Sequence, residues 1–146
     1  MWFSRKQVEK VLPGVVQPNT KTTTKKSGDA AEAVALGYLL EAGLRLVKSN
    51  YRTPGRGGGE IDLIMRDKDG TLVFIEVRQR SSQSHGGAGA SIGAVKRRRI
   101  IFAARYDLMR LASPPPCRFD VVLVQGGPDA AQAASIEWLR SAFDAS

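Results

Sequence analysis

The chain has 146 residues, 42% of them apolar and 25% charged, which suits one soluble globular domain with a real core. Lys and Arg number 22 against 14 Asp and Glu, a formal charge of +8, so a polyanion such as DNA, RNA or an anionic surface is favoured; solubility alone is the alternative. One cysteine excludes an internal disulfide and a thiolate zinc cluster, no stretch nears the roughly 20 apolar residues of a membrane span, and the N-terminus lacks the apolar core of a secretory leader; a cytoplasmic location with no membrane partner is expected.

Residues 1–27 read as a basic tail without fixed structure. Arg5, Lys6, Lys10, Lys21, Lys25 and Lys26 face a single acid, Glu9, and Pro13, Gly14 and Pro18 interrupt any helix. A single domain is expected over 28–146. Residues 29–42 are helix formers stopped by Gly43. Leu44 to Arg52 reads as a first strand, Pro54 to Gly59 as a glycine-rich loop, Glu60 to Asp67 as a second strand and Thr71 to Arg78 as a third. Residues 80–91, rich in Ser and Gly, read as a mobile loop. Ile92 to Ala112 predicts a long helix ended by Pro114, Pro115 and Pro116. Arg118 to Gln125 and Ser135 to Ala142 predict two further strands. The order α-β-β-β-α-β-β implies an α/β fold, a mixed sheet of about five strands flanked by helices.

The second and third strands carry the chemistry. Side chains alternate along a strand, so Ile61, Leu63 and Met65 share one face and Glu60, Asp62, Ile64 and Arg66 the other. In the third strand Val73, Ile75 and Val77 oppose Leu72, Phe74, Glu76 and Arg78. Both strands are apolar on both faces near the middle, which places them inside the sheet, where an acid needs a reason. If Asp67 and Thr71 close a three-residue loop with Gly70 left-handed, Asp62 falls opposite Glu76 and Glu60 opposite Arg78. Carboxylates in such register, roughly 5 Å apart at Cβ, repel unless a proton or cation lies between them. Their hard oxygens suit Mg²⁺ or Mn²⁺, which take phosphate oxygens as further ligands. Ion pairing with nearby arginines is the alternative. Glu32 lies in the first helix at helical spacing with Ala35, Leu36 and Leu39. It reads either as a third acid of the site or as the capping-box partner of Asp29.

Gly28-Asp-Ala-Ala-Glu32, Asn50-Tyr-Arg52, Gly59-Glu-Ile-Asp-Leu-Ile64, Leu72-Val-Phe-Ile-Glu-Val-Arg78 and Arg118-Phe-Asp-Val-Val122 together resemble the UPF0102 (YraN-like) family, from about Gly28 to the C-terminus. That resemblance implies a restriction-endonuclease-like fold related to Holliday-junction resolvases, and with it a metal-dependent endonuclease and a possible homodimer. The superfamily's Asp…Glu-x-Lys pattern falls on Asp62, Glu76 and Arg78, with Glu32 as its helix-borne acid. Arg78 stands where lysine is usual. An arginine stays charged and cannot act as a base, so it is left to hold water or offset charge on the phosphate. In this reading Asp62, Glu76, Arg78 and Glu32 form the catalytic set. Asp62 and Glu76 hold Mg²⁺ or Mn²⁺, helped by Glu32 through water and by the Val77 carbonyl. Glu60 is a lesser ligand, or the ion-pair partner of Arg78.

Lys96-Arg-Arg-Arg99 opens the long helix, where phosphate is already favoured. Lys96, Arg97 and Arg99, with Arg52 and Arg80 near the acids, are the expected nucleic-acid contacts, most naturally to DNA, branched forms included; a solvated basic face is the alternative. The glycine run Gly57 to Gly59 lacks any phosphate-loop pattern and reads as a turn or a close backbone approach. His85 reads as incidental, Cys117 as a small core residue, and Trp138 and Phe143 as packing anchors. Asp120 reads as the structural partner of a helix arginine and only secondarily as a site residue. Three functions stay open: a metal-dependent nuclease, a nucleic-acid-binding protein without turnover on the same fold, and a protein-interaction module.

Overall fold

The computed structural model describes residues 20–80, 92–126 and 135–145. Most of the expected tail, the Ser/Gly-rich loop beyond Arg80 and His85 lie outside them. Helix α1 spans Thr20–Glu41 and α2 spans Ala94–Leu108. The strands are β1 Arg45–Arg52, β2 Glu60–Arg66, β3 Leu72–Arg80, β4 Cys117–Gln125 and β5 Ser135–Phe143. They form one mixed sheet in the order β1-β2-β3-β4-β5, antiparallel except for the β3–β4 pair. This is the α/β architecture expected from the element order. A parallel pair cannot be joined by a tight turn, and here α2 makes the crossover.

α1 starts well ahead of Asp29, so helix occupies the last part of the stretch assigned to the tail. No proline falls between Thr20 and Glu41, and extending a formed helix costs far less than nucleating one. α2 ends earlier than expected, at Leu108. The Met109 and Arg110 N–H groups close its last turn on the carbonyls of Arg105, Tyr106 and Asp107.

Each helix covers one face of the sheet. Ala31, Ala35 and Leu39 of α1 bury against Leu63, Met65, Val73, Ile75, Val122 and Val124. Ile100, Ala103 and Ala104 of α2 bury against Ile64, Leu72, Phe74 and Phe119. At roughly 1.5–3 kcal/mol per large side chain removed from water, these two layers supply the main folding drive. One expected facing is overturned: Ile61 packs with the α2 cluster rather than with Leu63 and Met65. The departure comes where β2 parts from β3.

The turn between β2 and β3 has the expected form. Asp67 N–H donates to the Thr71 carbonyl at 2.8 Å, Gly70 N–H to the Asp67 carbonyl at 3.0 Å, and Gly70 has φ 92°. The glycine run has a packing role. A Cβ on Gly59 would collide with the Arg99 carbonyl of α2, so glycine lets the start of β2 lie directly against that helix. The far end of α2 is tied to β1 by Asp107, which accepts from Lys48 Nζ at 2.7 Å and Arg110 Nε at 2.9 Å. Burial raises the Asp107 pKa, but those hydrogen bonds outweigh it and hold the carboxyl below its usual range. Trp138 meets Tyr38 edge-on and Phe143 stacks on Phe119, as packing anchors should. Cys117 is exposed at the first position of β4, not in the core.

Candidate active site

The ladder between β2 and β3 runs from Arg66↔Leu72 to Leu63↔Ile75, in the register expected from the turn. It stops there, one position short of Asp62 and Glu76. β2 stays paired with β1 through Arg52↔Glu60, and β3 stays paired with β4 through Arg80↔Gln125. The two central strands therefore part in mid-sheet. Asp62 fills the gap: its Oδ2 accepts the Val77 N–H at 2.8 Å, taking the place of a strand carbonyl. This bond fixes the orientation of the carboxylate and satisfies a backbone donor that the parting leaves over.

Glu76 lies next to it on the α2 face, its side chain 11% exposed. Its Oε1 is buried and has no hydrogen-bond partner among the described residues. Burial, and then the neighbouring Asp62 carboxylate, push the Glu76 pKa up to about 8, while Lys96 and Arg78 pull it down. A carboxyl so placed keeps its proton to a higher pH than a free glutamate does.

The cation nearest the pair comes from α2. Lys96 Nζ lies 3.7 Å from Glu76 Oε2 and 3.5 Å from Glu60 Oε2. Glu60 also faces Arg52 at 3.8 Å. Glu60 is thus partnered by Lys96 and Arg52 and not, as the extended register implied, by Arg78. The parting of the strands is the reason, since it ends the ladder before Glu60 can come opposite Arg78.

The remaining residues sort by place. Arg78 is half-buried on the Glu76 face and near enough to favour its charged form. Glu32 is half-buried on α1, which covers the other face of the sheet. Among the described residues no three His, Cys, Asp or Glu side chains converge as a metal cluster, so the site is a two-carboxylate one. Arg80 is held by Glu137 at 3.2 Å with 13% of its side chain exposed, which leaves little of it for a phosphate. Arg97, Arg98 and Arg99 are exposed beside Lys96. Lys96 turns to the acids, whereas Arg99 is exposed.

Sequence reasoning took Lys96 for a phosphate contact and missed its contact with the acids. The signal was present. Lys96, Ile100, Ala103 and Asp107 fall at helical spacing along the buried stripe of α2, so the first of them had to point inward. Asp120 was expected to meet a helix arginine; its partners are instead Arg118 of its own strand, Trp138 Nε1 and the Ser141 N–H. That full set of donors makes it structural.

The residues present fit a divalent cation. Two hard carboxylates lie side by side, one with an unpartnered buried oxygen, and an ammonium already lies against Glu76. Mg²⁺ is commonly held by one or two carboxylates, with waters and phosphate completing its shell. Fold and site together define an α/β protein with two adjacent carboxylates at the parting of two central strands. The chain belongs to the UPF0102 family: residues 31–124 match its model, described as "Uncharacterised protein family UPF0102". It is 66% identical to a UPF0102 protein of Polaromonas naphthalenivorans (strain CJ2) over 100% of both chains. It is 62% identical to one of Paracidovorax citrulli (strain AAC00-1) over 94% of this chain and 97% of the relative. Among the described residues no helix is long and apolar enough to cross a membrane.

Proposed function

We propose that this protein is a metal-dependent, cytoplasmic endonuclease that binds nucleic acid, DNA above all, and hydrolyses phosphodiester bonds. One observation carries the reading: Asp62 bridges the gap between the parted strands to the Val77 N–H, with Glu76 buried beside it and its Oε1 open. Asp62 and Glu76 would hold one Mg²⁺ or Mn²⁺. When bound, such an ion supplies Lewis acidity toward a phosphate oxygen and makes a water more acidic.

The chain's own groups do the rest. The Val77 N–H keeps Asp62 aimed at the cleft, and burial strengthens every charge inside it. Arg78 stays cationic and offsets negative charge on the phosphate without moving a proton. Arg52, Arg97 and Arg99 contact the backbone of the nucleic acid, which gives affinity and register but no base preference. Glu32, across the sheet, takes no direct bond to the ion and acts through water.

The test is incubation of labelled branched, single-stranded and duplex DNA with Mg²⁺ or Mn²⁺. Cleavage that disappears in Asp62→Ala and Glu76→Ala is the expected result. Tight, salt-sensitive binding with no cut in either metal would instead support the second reading, a nuclease fold that binds without turnover. Arg78 at the usual lysine position is the observation that favours that alternative.

A further inference from the structure

We infer that Lys96 supplies the lysine of this site from α2: a tethered cation that lies between Glu60 and Glu76 and competes with the divalent ion for Glu76. The inference rests on the metal-binding reading above.

Three observations carry it. First, the Lys96 ammonium lies 3.7 Å from Glu76 Oε2 and 3.5 Å from Glu60 Oε2, so one charge serves both strands on either side of the gap. Second, its placement is built into the fold. Lys96 heads the buried stripe of α2, whose far end Asp107 ties to β1 and whose middle rests on Gly59. The ammonium is therefore delivered by a helix docked at two points, in contrast to the exposed side chains of Arg97 and Arg98. Third, the residue types divide the work. Arg78 presents a wide planar fork, whereas an ammonium is a compact point charge with three donors, comparable to a metal ion in what it offers two carboxylates.

A cation in that position has two effects of opposite sign. It stabilises the folded protein when no ion is bound, because it offsets the charge of the acids it touches. It also weakens the ion's hold, because the ion must share or displace it. Once displaced from Glu76, the Lys96 ammonium remains within a side chain's reach of a phosphate bound in the cleft. Lys96 is thus a positioning residue, exchanged between the acids and the substrate.

The test measures Mn²⁺ binding by calorimetry and thermal melting with EDTA or Mn²⁺, on the full chain and on Lys96→Met and Lys96→Arg. The expected result for Lys96→Met is a lower melting temperature in EDTA and Mn²⁺ affinity tighter by about tenfold, since a like charge has been removed from the ion's neighbourhood. Mn²⁺ should then restore the melting temperature. Lys96→Arg, which keeps the charge, should stay near the parent in both measurements. Unchanged Mn²⁺ affinity in Lys96→Met, with weaker DNA binding in EDTA, would overturn the inference and leave Lys96 a plain phosphate contact. Weaker Mn²⁺ binding in Lys96→Met would overturn it in favour of a purely structural role. Absence of Mn²⁺ binding in the parent chain would instead sink the metal reading on which it rests.

Discussion

Asp120 and Glu76 lie on adjacent strands of one sheet, a single register step apart, since Asp120 pairs with Ile75. Both are buried, yet their surroundings differ in kind. Asp120, 0% exposed, receives Arg118 Nε at 3.1 Å, Trp138 Nε1 at 2.9 Å and the Ser141 N–H at 2.9 Å. Glu76 has another carboxylate beside it, one ammonium at 3.7 Å and an unpartnered oxygen. A buried acid given its full complement of donors stabilises a fold. A buried acid set against a second acid costs stability, and acids so perturbed cluster at functional sites.

The comparison can be broken at either end. The largest effect should come from Asp120→Ala, which strands the Arg118 guanidinium, the Trp138 indole and the Ser141 N–H. A loss of about 3–5 kcal/mol in a urea melt is expected, with no recovery on adding Mn²⁺. Gly59→Ala should cost about 1–3 kcal/mol, because the added methyl must push α2 away from β2. It should also carry Lys96 off the acids and so alter Mn²⁺ binding, which no change at Asp120 does. Glu76→Gln should do the reverse of Asp120→Ala: at pH 7 the protein gains about 1–3 kcal/mol while Mn²⁺ binding is lost.

The pH dependence follows from the same carboxyl. The folded-state pKa of Glu76 is about 8, above the ordinary 4.5 of an unfolded glutamate. Below pH 4.5 both states hold the proton and Glu76 costs nothing; as pH rises toward 8 the unfolded state releases it first, so stability falls across that window. Melting in EDTA should show this decline. Saturating Mg²⁺ should flatten it, because the ion takes the place of the proton, and Glu76→Gln should remove it. Arg78→Lys should have the smallest effect, a change in Mn²⁺ affinity of less than about threefold, since the charge beside Glu76 is kept.

Much of this contrast was legible in the residues. Taking the turn Asp67-Lys-Asp-Gly70 as a three-residue loop with Gly70 left-handed gave the β2–β3 register, and that register brought Asp62 beside Glu76. The apolar runs of β2, β3 and β4 gave the buried sheet, and α2 was read from its stripe and its terminal prolines. What the residues did not disclose was the point at which the ladder breaks. Strand alternation assumes continuous pairing, so it misplaced Ile61 and matched Glu60 to Arg78. A backbone N–H captured by a side chain, as at Val77, has no pattern in the sequence. The partners of buried charges were equally hidden: Arg118 spans Asp67 and Asp120, and Lys48 reaches Asp107, across 51 and 59 positions of chain. Helical periodicity with Ile100, Ala103 and Asp107 marks Lys96 as pointing inward, a signal that its place in a basic run obscured.

The central claim is that the gap between β2 and β3 is a cation site. Its most direct test is a crystal structure of the protein grown in saturating Mn²⁺, with the ion located by its anomalous signal. The account predicts one ion bound by Asp62 and Glu76 Oε1, with Lys96 Nζ displaced from Glu76. A Lys96–Glu76 pair left intact, with no anomalous peak between the two carboxylates, would contradict it.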